Sequence, residues 1–253
     1  MITKRELQDY AKSLSLGNAE KDYLIDIALT SISSHTKNQL VFKGGTCLYK
    51  FYKLPRFSED IDFRATSIIN VNELISQVIF DFNKWGVKAK VHQKKETYNS
   101  ILITLRIEGP LFTGNSATYA NLGIDINLKS PVIAEPELLT YNSVYPDISM
   151  VSALCMKQEE IFAEKIRAIM SRERARDLFD LHFLLNNGVY ADKELINKKL
   201  EYYNDKFDLN KLITKMKALQ GQWKNELMGF PSTLLEFDVV YKYVVACLQK
   251  RYR

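Results

Sequence analysis

The sequence predicts an α+β protein: an amino-terminal half with a small mixed sheet and helices, followed by a helical C-terminal domain. Three observations predict it. Apolar residues alternate with period two over residues 87–128, whereas the helical period takes over from about residue 150 and persists. Gly (10) and Pro (6) are scarce in 253 residues, which favours long helices over a many-stranded sandwich or barrel. A hydrophobic share of 46% beside 26% charged residues excludes wholesale disorder, and the length allows one large core or two unequal ones.

In chain order, residues 4–14 read as a short helix and 18–36 as a longer one. Asn18 is its candidate cap, and Leu24, Ile27, Ala28, Ser31 and Ile32 share one face. Residues 40–42 form a short apolar strand that runs into Gly44 and Gly45. A helix over 46–52 follows and stops before Pro55. Residues 58–63 alternate, 68–84 are helical, and strand patterns cover 87–92, 101–108 and 122–128. Helices are expected at 153–170, 175–187, 192–202, 208–228 and 233–250, with breaks near Gly188, Asn204 and Pro231. Three of the six prolines, Pro131, Pro136 and Pro146, fall within 130–149, so the domains are divided there into 1–135 and 136–253.

The net charge of +5 is compatible with RNA, DNA or nucleotide substrates and proves none of them. Cys47, Cys155 and Cys247 lie far apart without a C-x-x-C pair, the pattern of free thiols in a reducing compartment. The first ten residues have no apolar core for a signal peptide, and no run approaches the roughly 20 apolar residues of a membrane span. A cytoplasmic protein without membrane association is expected. The three histidines form no H-E-x-x-H or Cys/His cluster, which speaks against zinc chemistry, and G-x-S-x-G is absent.

Residues 43–63, KGGTCLYKFYKLPRFSEDIDF, carry the most information. On a strand, Asp60 and Asp62 project from one face while Ile61 and Phe63 project from the other. Two carboxylates aimed at one point repel unless a cation or a proton intervenes; magnesium, a hard cation that bridges carboxylates to phosphates, meets that need. Asp125, between Ile124 and Ile126, repeats the pattern, and a strand pairing that set it beside Asp60 and Asp62 would let three acids hold two magnesium ions. Taken alone, D-x-D equally suits a solvated strand edge. The neighbouring Gly44-Gly45-Thr46 turn favours phosphate handling, because glycine lets an anion approach backbone amides at a helix start. Lys43, Arg56 and Ser58 are secondary phosphate candidates.

Together these residues, Gly44-Gly45-Thr46-Cys47-Leu48 followed by Arg56-Phe57-Ser58-Glu59-Asp60-Ile61-Asp62-Phe63, resemble the AbiEii/AbiGii toxin family of nucleotidyltransferases, within the DNA polymerase beta-like superfamily. A second motif supports the resemblance: Glu164-Lys165-Ile166-Arg167-Ala168, then Arg176-Asp177-Leu178-Phe179-Asp180-Leu181. The resemblance implies a nucleotidyltransferase fold whose helical domain completes the nucleotide and acceptor site. It implies that Asp60, Asp62 and Asp125 bind two Mg2+ ions and that Gly44, Gly45 and Thr46 hold the phosphates of a nucleoside triphosphate (NTP). Lys165 would bind phosphate, and Asp177 and Asp180 would belong to the catalytic or nucleotide-positioning set. Lys165, Arg176, Asp177 and Asp180 suit equally an ion-pair network between helices.

The implied reaction moves a nucleoside monophosphate from an NTP to an acceptor hydroxyl, such as the 3′ end of an RNA like tRNA. The implied setting is a toxin–antitoxin or abortive-infection system with a cognate antitoxin. A protein acceptor, or a non-catalytic RNA-binding module, are the alternatives. Lys84, Lys88, Lys90, Lys94 and Lys95 outnumber Asp81 and Glu96, and Lys250, Arg251 and Arg253 end the sequence. Lys88, Lys90 and His92 on one strand face suit an RNA backbone, or equally the protection of a sheet edge. Tyr141 and Tyr145 are candidates for stacking a base, or plain surface tyrosines.

Overall fold

In this computed structural model, which describes residues 1–10, 14–228 and 235–252, the chain runs α1 (Lys4–Tyr10), α2 (Leu16–Thr36), β1 (Leu40–Lys43), α3 (Gly44–Tyr52), β2 (Ile61–Ala65), α4 (Val71–Lys84), β3 (Lys88–Glu96), β4 (Ser100–Glu108), β5 (Ala120–Asn127), β6 (Glu137–Asn142) and β7 (Met150–Cys155). Helices α5 (Gln158–Ser171), α6 (Ala175–Asn186), α7 (Lys193–Glu201), α8 (Leu209–Ala218), α9 (Trp223–Leu227) and α10 (Phe237–Tyr252) follow. The expected helical residues 11–13 and 233–234, together with Pro231 and Arg253, lie outside the described residues.

The chain divides into two units. The first comprises Met1–Lys53, Phe57–Val132 and Pro136–Met156; the second comprises Leu54–Arg56, Ile133–Glu135 and Lys157–Arg253. In the first, a mixed sheet has the order β3-β4-β5-β2-β1-β7-β6. Its apolar face is built by alternation: Ile61, Phe63, Ile103, Leu105, Ile124 and Ile126 are buried, and α2 and α4 pack against the sheet. Polar residues of β2, β4 and β5 take the opposite face. Ser15, rather than Asn18, caps α2, accepting from the Asn18 N–H at 3.3 Å.

The proline-bearing stretch expected to be the boundary supplies β6 instead. It pairs antiparallel with β7, which lies parallel to β1 with Phe42 opposite Cys155, so the first unit extends to Met156. Residues 153–155, expected in a helix, belong to β7. Val151, Ala153 and Cys155 alternate with Ser152 and Leu154, a period-two signal too short and too poor in β-branched residues to stand out beside α5.

The second unit is helical. There α6 packs against α5, α9 and α10, and α5 against α7 and α8. The expected helix 208–228 is divided by a 3-10 turn, Leu219–Gln222, which contains Gly221. Trp223, fully buried, meets Phe237 edge-on at 5.6 Å.

Candidate active site

Strand register brings two of the expected acids together. β2 runs parallel to β5 with Asp62 opposite Asp125, and both lie on the polar face while Ile61 and Ile124 pair on the buried one. Like charges directly opposite each other on adjacent strands are unfavourable, so this pair requires a cation or a proton. Lys43 lies opposite Asp62 on the other side, in β1. Asp60, just before β2, approaches the next polar-face position of β5: a Cβ at Gly123 would lie 3.0 Å from Asp60 Oδ1.

Asp125 is the most exceptional of the three. Its Oδ1 is buried and has no hydrogen-bond partner. Burial raises its pKa above the ordinary carboxylate value; Lys43 and the Ser100 hydroxyl pull against that, and Asp60 adds to it.

The glycine turn lies against these acids. Gly44 has φ +77°, and a Cβ there would stand 2.5 Å from Asp62 Oδ2, so both the backbone and the neighbouring carboxylate require glycine. Helix α3 begins at Gly44, and its N-cap, Lys43, supplies no side-chain cap bond. The leading amides of α3 are therefore not tied up by a capping side chain, the condition under which a helix start receives an anion. Gly45 and Thr46 form its first turn. Thr46 itself is turned inward: its side chain is buried, its hydroxyl lies 2.9 Å from Ser58 Oγ, and it donates to the Asp60 carbonyl. Thr46 and Ser58 thus fasten α3 to the segment that carries the acids.

The donor set fits magnesium in kind: hard carboxylate oxygens, one of them buried and unpartnered, beside a glycine turn that keeps the face open. Among the described residues, however, no three His, Cys, Asp or Glu side chains are gathered as a metal-binding group. The fit is that of the Asp62–Asp125 pair with Asp60 on the neighbouring row.

The second motif forms a buried ion network within the helical unit. Arg56 Nε and Nη2 donate to the two oxygens of Asp180, each at 2.6 Å. Lys165 Nζ reaches Asp180 Oδ2 at 2.6 Å and Asp177 Oδ1 at 2.8 Å, and Arg172 Nε donates to Asp177 Oδ2 at 2.9 Å. Burial pushes the Asp177 carboxyl up, but Lys165 and Arg172 outweigh it and hold it well below the usual range. Burial likewise opposes the charge on Lys165 and Arg56, and their carboxylate partners restore and exceed it. Arg56, expected to contact phosphate, is buried with its guanidinium fork on Asp180; Arg172 rather than Arg176 joins the network.

Other expectations resolve differently. A β-bulge between Val91 and Gln93 breaks the alternation, so Lys88 and Lys90 share a face with Gln93 and Lys95 and not with His92. Lys84 pairs with Asp81 at 2.8 Å and Lys94 with Glu96 at 2.5 Å. Tyr141 and Tyr145 are held inside the first unit, donating to Asp26 at 2.5 Å and to Asp22 at 3.0 Å, where Lys50 also binds both acids. Sequence reasoning missed Gly123 and Ser100 beside Asp125. Gly123 carried a usable signal, since it lies two residues from Asp125 and so on the same strand face.

The family model described as "Nucleotidyl transferase AbiEii toxin, Type IV TA system" matches residues 27–243. No curated protein matches the chain significantly. Among solved structures, MenT4, a nucleotidyltransferase toxin from Mycobacterium tuberculosis H37Rv, aligns with a TM-score of 0.70 at 17% identity, covering 98% of this chain and 90% of its own. JHP933 from Helicobacter pylori aligns with a TM-score of 0.59 at 22% identity, covering 95% and 94%. A putative nucleotidyltransferase from H. pylori gives 0.56 at 21%, covering 94% and 96%. These structural likenesses establish the fold: a mixed α+β nucleotidyltransferase-like unit followed by a helical region.

Proposed function

The chain belongs to the AbiEii nucleotidyltransferase toxin family and is a nucleotidyltransferase, and from that premise we propose that it uses magnesium to move a nucleoside monophosphate from an NTP to the 3′ end of an RNA such as tRNA. The observation that carries the reading is the register of Asp62 against Asp125 beside the Gly44 turn. The leading α3 amides at Gly44, Gly45 and Thr46 receive the β- and γ-phosphates. Asp60, Asp62 and Asp125 are the residues that would hold magnesium. Magnesium bound there would supply Lewis-acid stabilisation of phosphoryl charge and a more acidic acceptor hydroxyl. The acceptor hydroxyl oxygen attacks the α-phosphorus, pyrophosphate leaves, and Asp125 takes up the hydroxyl proton. Ser58 and Thr46 position the acids, and in the helical unit Lys165, Asp177 and Asp180, joined with Arg56 in one ion network, form the nucleotide-positioning set.

The setting we infer is a toxin–antitoxin or abortive-infection system with a cognate antitoxin, in the cytoplasm. No helix among the described residues is long and apolar enough to cross a membrane.

The test offers each α-phosphate-labelled NTP with magnesium to total RNA and to total protein, then locates the label. Label on RNA is the expected result, and label confined to protein would replace the acceptor. Asp62→Asn is expected to retain the folded far-ultraviolet spectrum and to lose transfer by about a hundredfold or more, the scale of one preorganised electrostatic group. Near-normal transfer by that variant would end the assignment.

A further inference from the structure

The polar face that presents Asp62 and Asp125 does not stop at β5. Register carries it across the sheet: Asp125 lies opposite Leu102 of β4, and Leu102 opposite Lys95 of β3. Two rows further along the strands, Asn121 lies opposite Arg106, and Arg106 opposite Lys90. These positions share the open parity of the strands, since their neighbours Ile103, Leu105, Ile107 and Leu122 are buried on the other side. At 3.3 Å per residue, the Arg106 row stands roughly 13 Å from the Asp125 row along the strand direction.

An aromatic ring sits in that basic row. Tyr119, just before β5, has Lys90 Nζ 5.2 Å and Arg106 Cζ 6.0 Å from its ring centroid. Phe112, from the same loop, lies 4.7 Å from Tyr119 at a 34° tilt. Lys88 lies in the next row along β3, its Nζ 3.5 Å from Glu108. Packing alone does not call for two cations gathered on a half-exposed tyrosine at the start of an interior strand; protecting the β3 edge needs only scattered lysines. Cations that track a backbone, interleaved with a ring on which a base can stack, are the features that grip single-stranded nucleic acid.

We propose that Tyr119, Lys90 and Arg106 form an acceptor-strand site, in which one unpaired nucleotide of an RNA stacks on Tyr119 while its phosphates meet Lys90 and Arg106, and the strand then runs across the β4–β5 face toward Asp125. The proposal rests on the reading of an RNA acceptor and adds the path by which that acceptor approaches. An acidic polypeptide would satisfy the cations and leave the ring unused.

The test separates binding from chemistry by measuring equilibrium binding of a short fluorescein-labelled oligoadenylate RNA to the full chain without NTP. Lys90→Glu and Arg106→Glu should each weaken binding and reduce the slope of log affinity against log salt by about one or more. Tyr119→Ala should weaken binding about tenfold with the slope unchanged, and Tyr119→Phe should restore it. Lys224→Glu, an exposed charge reversal in the helical unit, should leave affinity and slope as they were. A wild-type chain that binds RNA by this row yet transfers no label to it would overturn the proposed transfer reaction and leave this site standing. Equal affinity in wild type, Lys90→Glu, Arg106→Glu and Tyr119→Ala overturns the proposal, as does displacement of the probe by polyglutamate as readily as by unlabelled RNA.

Discussion

Gly44 shows how a single missing side chain shapes the site. At φ +77° any L-residue is strained, by about 1–2 kcal/mol on the scale of left-handed backbone. A Cβ there would also meet Asp62 Oδ2 at 2.5 Å and Asp62 Cβ at 3.2 Å, so the clash reaches the base of that side chain as well as its tip. Gly44→Ala is therefore expected to lower stability by about 1–2 kcal/mol in urea melts and to lower transfer about tenfold or more, because the displaced atom is a proposed ligand. Equal, small losses in both would mean that Asp62 does not need its present position. The diglycine and the D-x-D pair were legible from sequence because both are local: alternation alone sets Asp60 and Asp62 on one face. The role of Thr46 was not, since which way a hydroxyl turns depends on the Ser58 and Asp60 segment that packs against it.

At the scale of elements, α5 and α6 are joined by buried ion pairs set among apolar side chains. Asp180 is fully buried and receives Arg56 and Lys165 together. Removing one partner leaves two buried cations short of a counter-charge, for which breaking a buried pair costs about 3–5 kcal/mol. Asp180→Ala should thus lower the urea midpoint sharply, while Arg176→Ala, outside the network, should change it little. A mild effect of Asp180→Ala would show that water repairs the gap and that the network is not structural. The R-D-x-x-D-L motif made Asp177 and Asp180 readable as a pair on one helix face. That Arg56, more than a hundred positions away, completes the cluster was beyond local periodicity. The same limit hid β7, whose pairing with β1 is a long-range event, β6, which pairs on β7, and the bulge at residues 91–93, which moved His92 off the lysine face.

Over the whole molecule, two carboxylates pull stability in opposite directions as pH changes. Asp177 has a depressed pKa in the folded state, so its contribution is present above the unfolded value of about 3.9 and is lost as pH falls through the folded one. Asp125 has a raised pKa, so it favours the fold below about 3.9, and that favour is lost as pH rises through its folded value. At neutral pH in chelator, Asp125 is a desolvated charge with an unpartnered oxygen, and Asp125→Asn should raise the urea midpoint while abolishing transfer. On acidification the wild-type carboxyl takes up its proton and the difference disappears, so the two midpoint curves should converge toward roughly pH 3, both falling as Asp177 is protonated. Adding magnesium at neutral pH should stabilise the wild type in proportion to the logarithm of its concentration and leave Asp125→Asn nearly unmoved. Parallel curves with no convergence, or equal magnesium shifts in both proteins, would remove Asp125 from the metal set and leave its burial a property of the sheet alone.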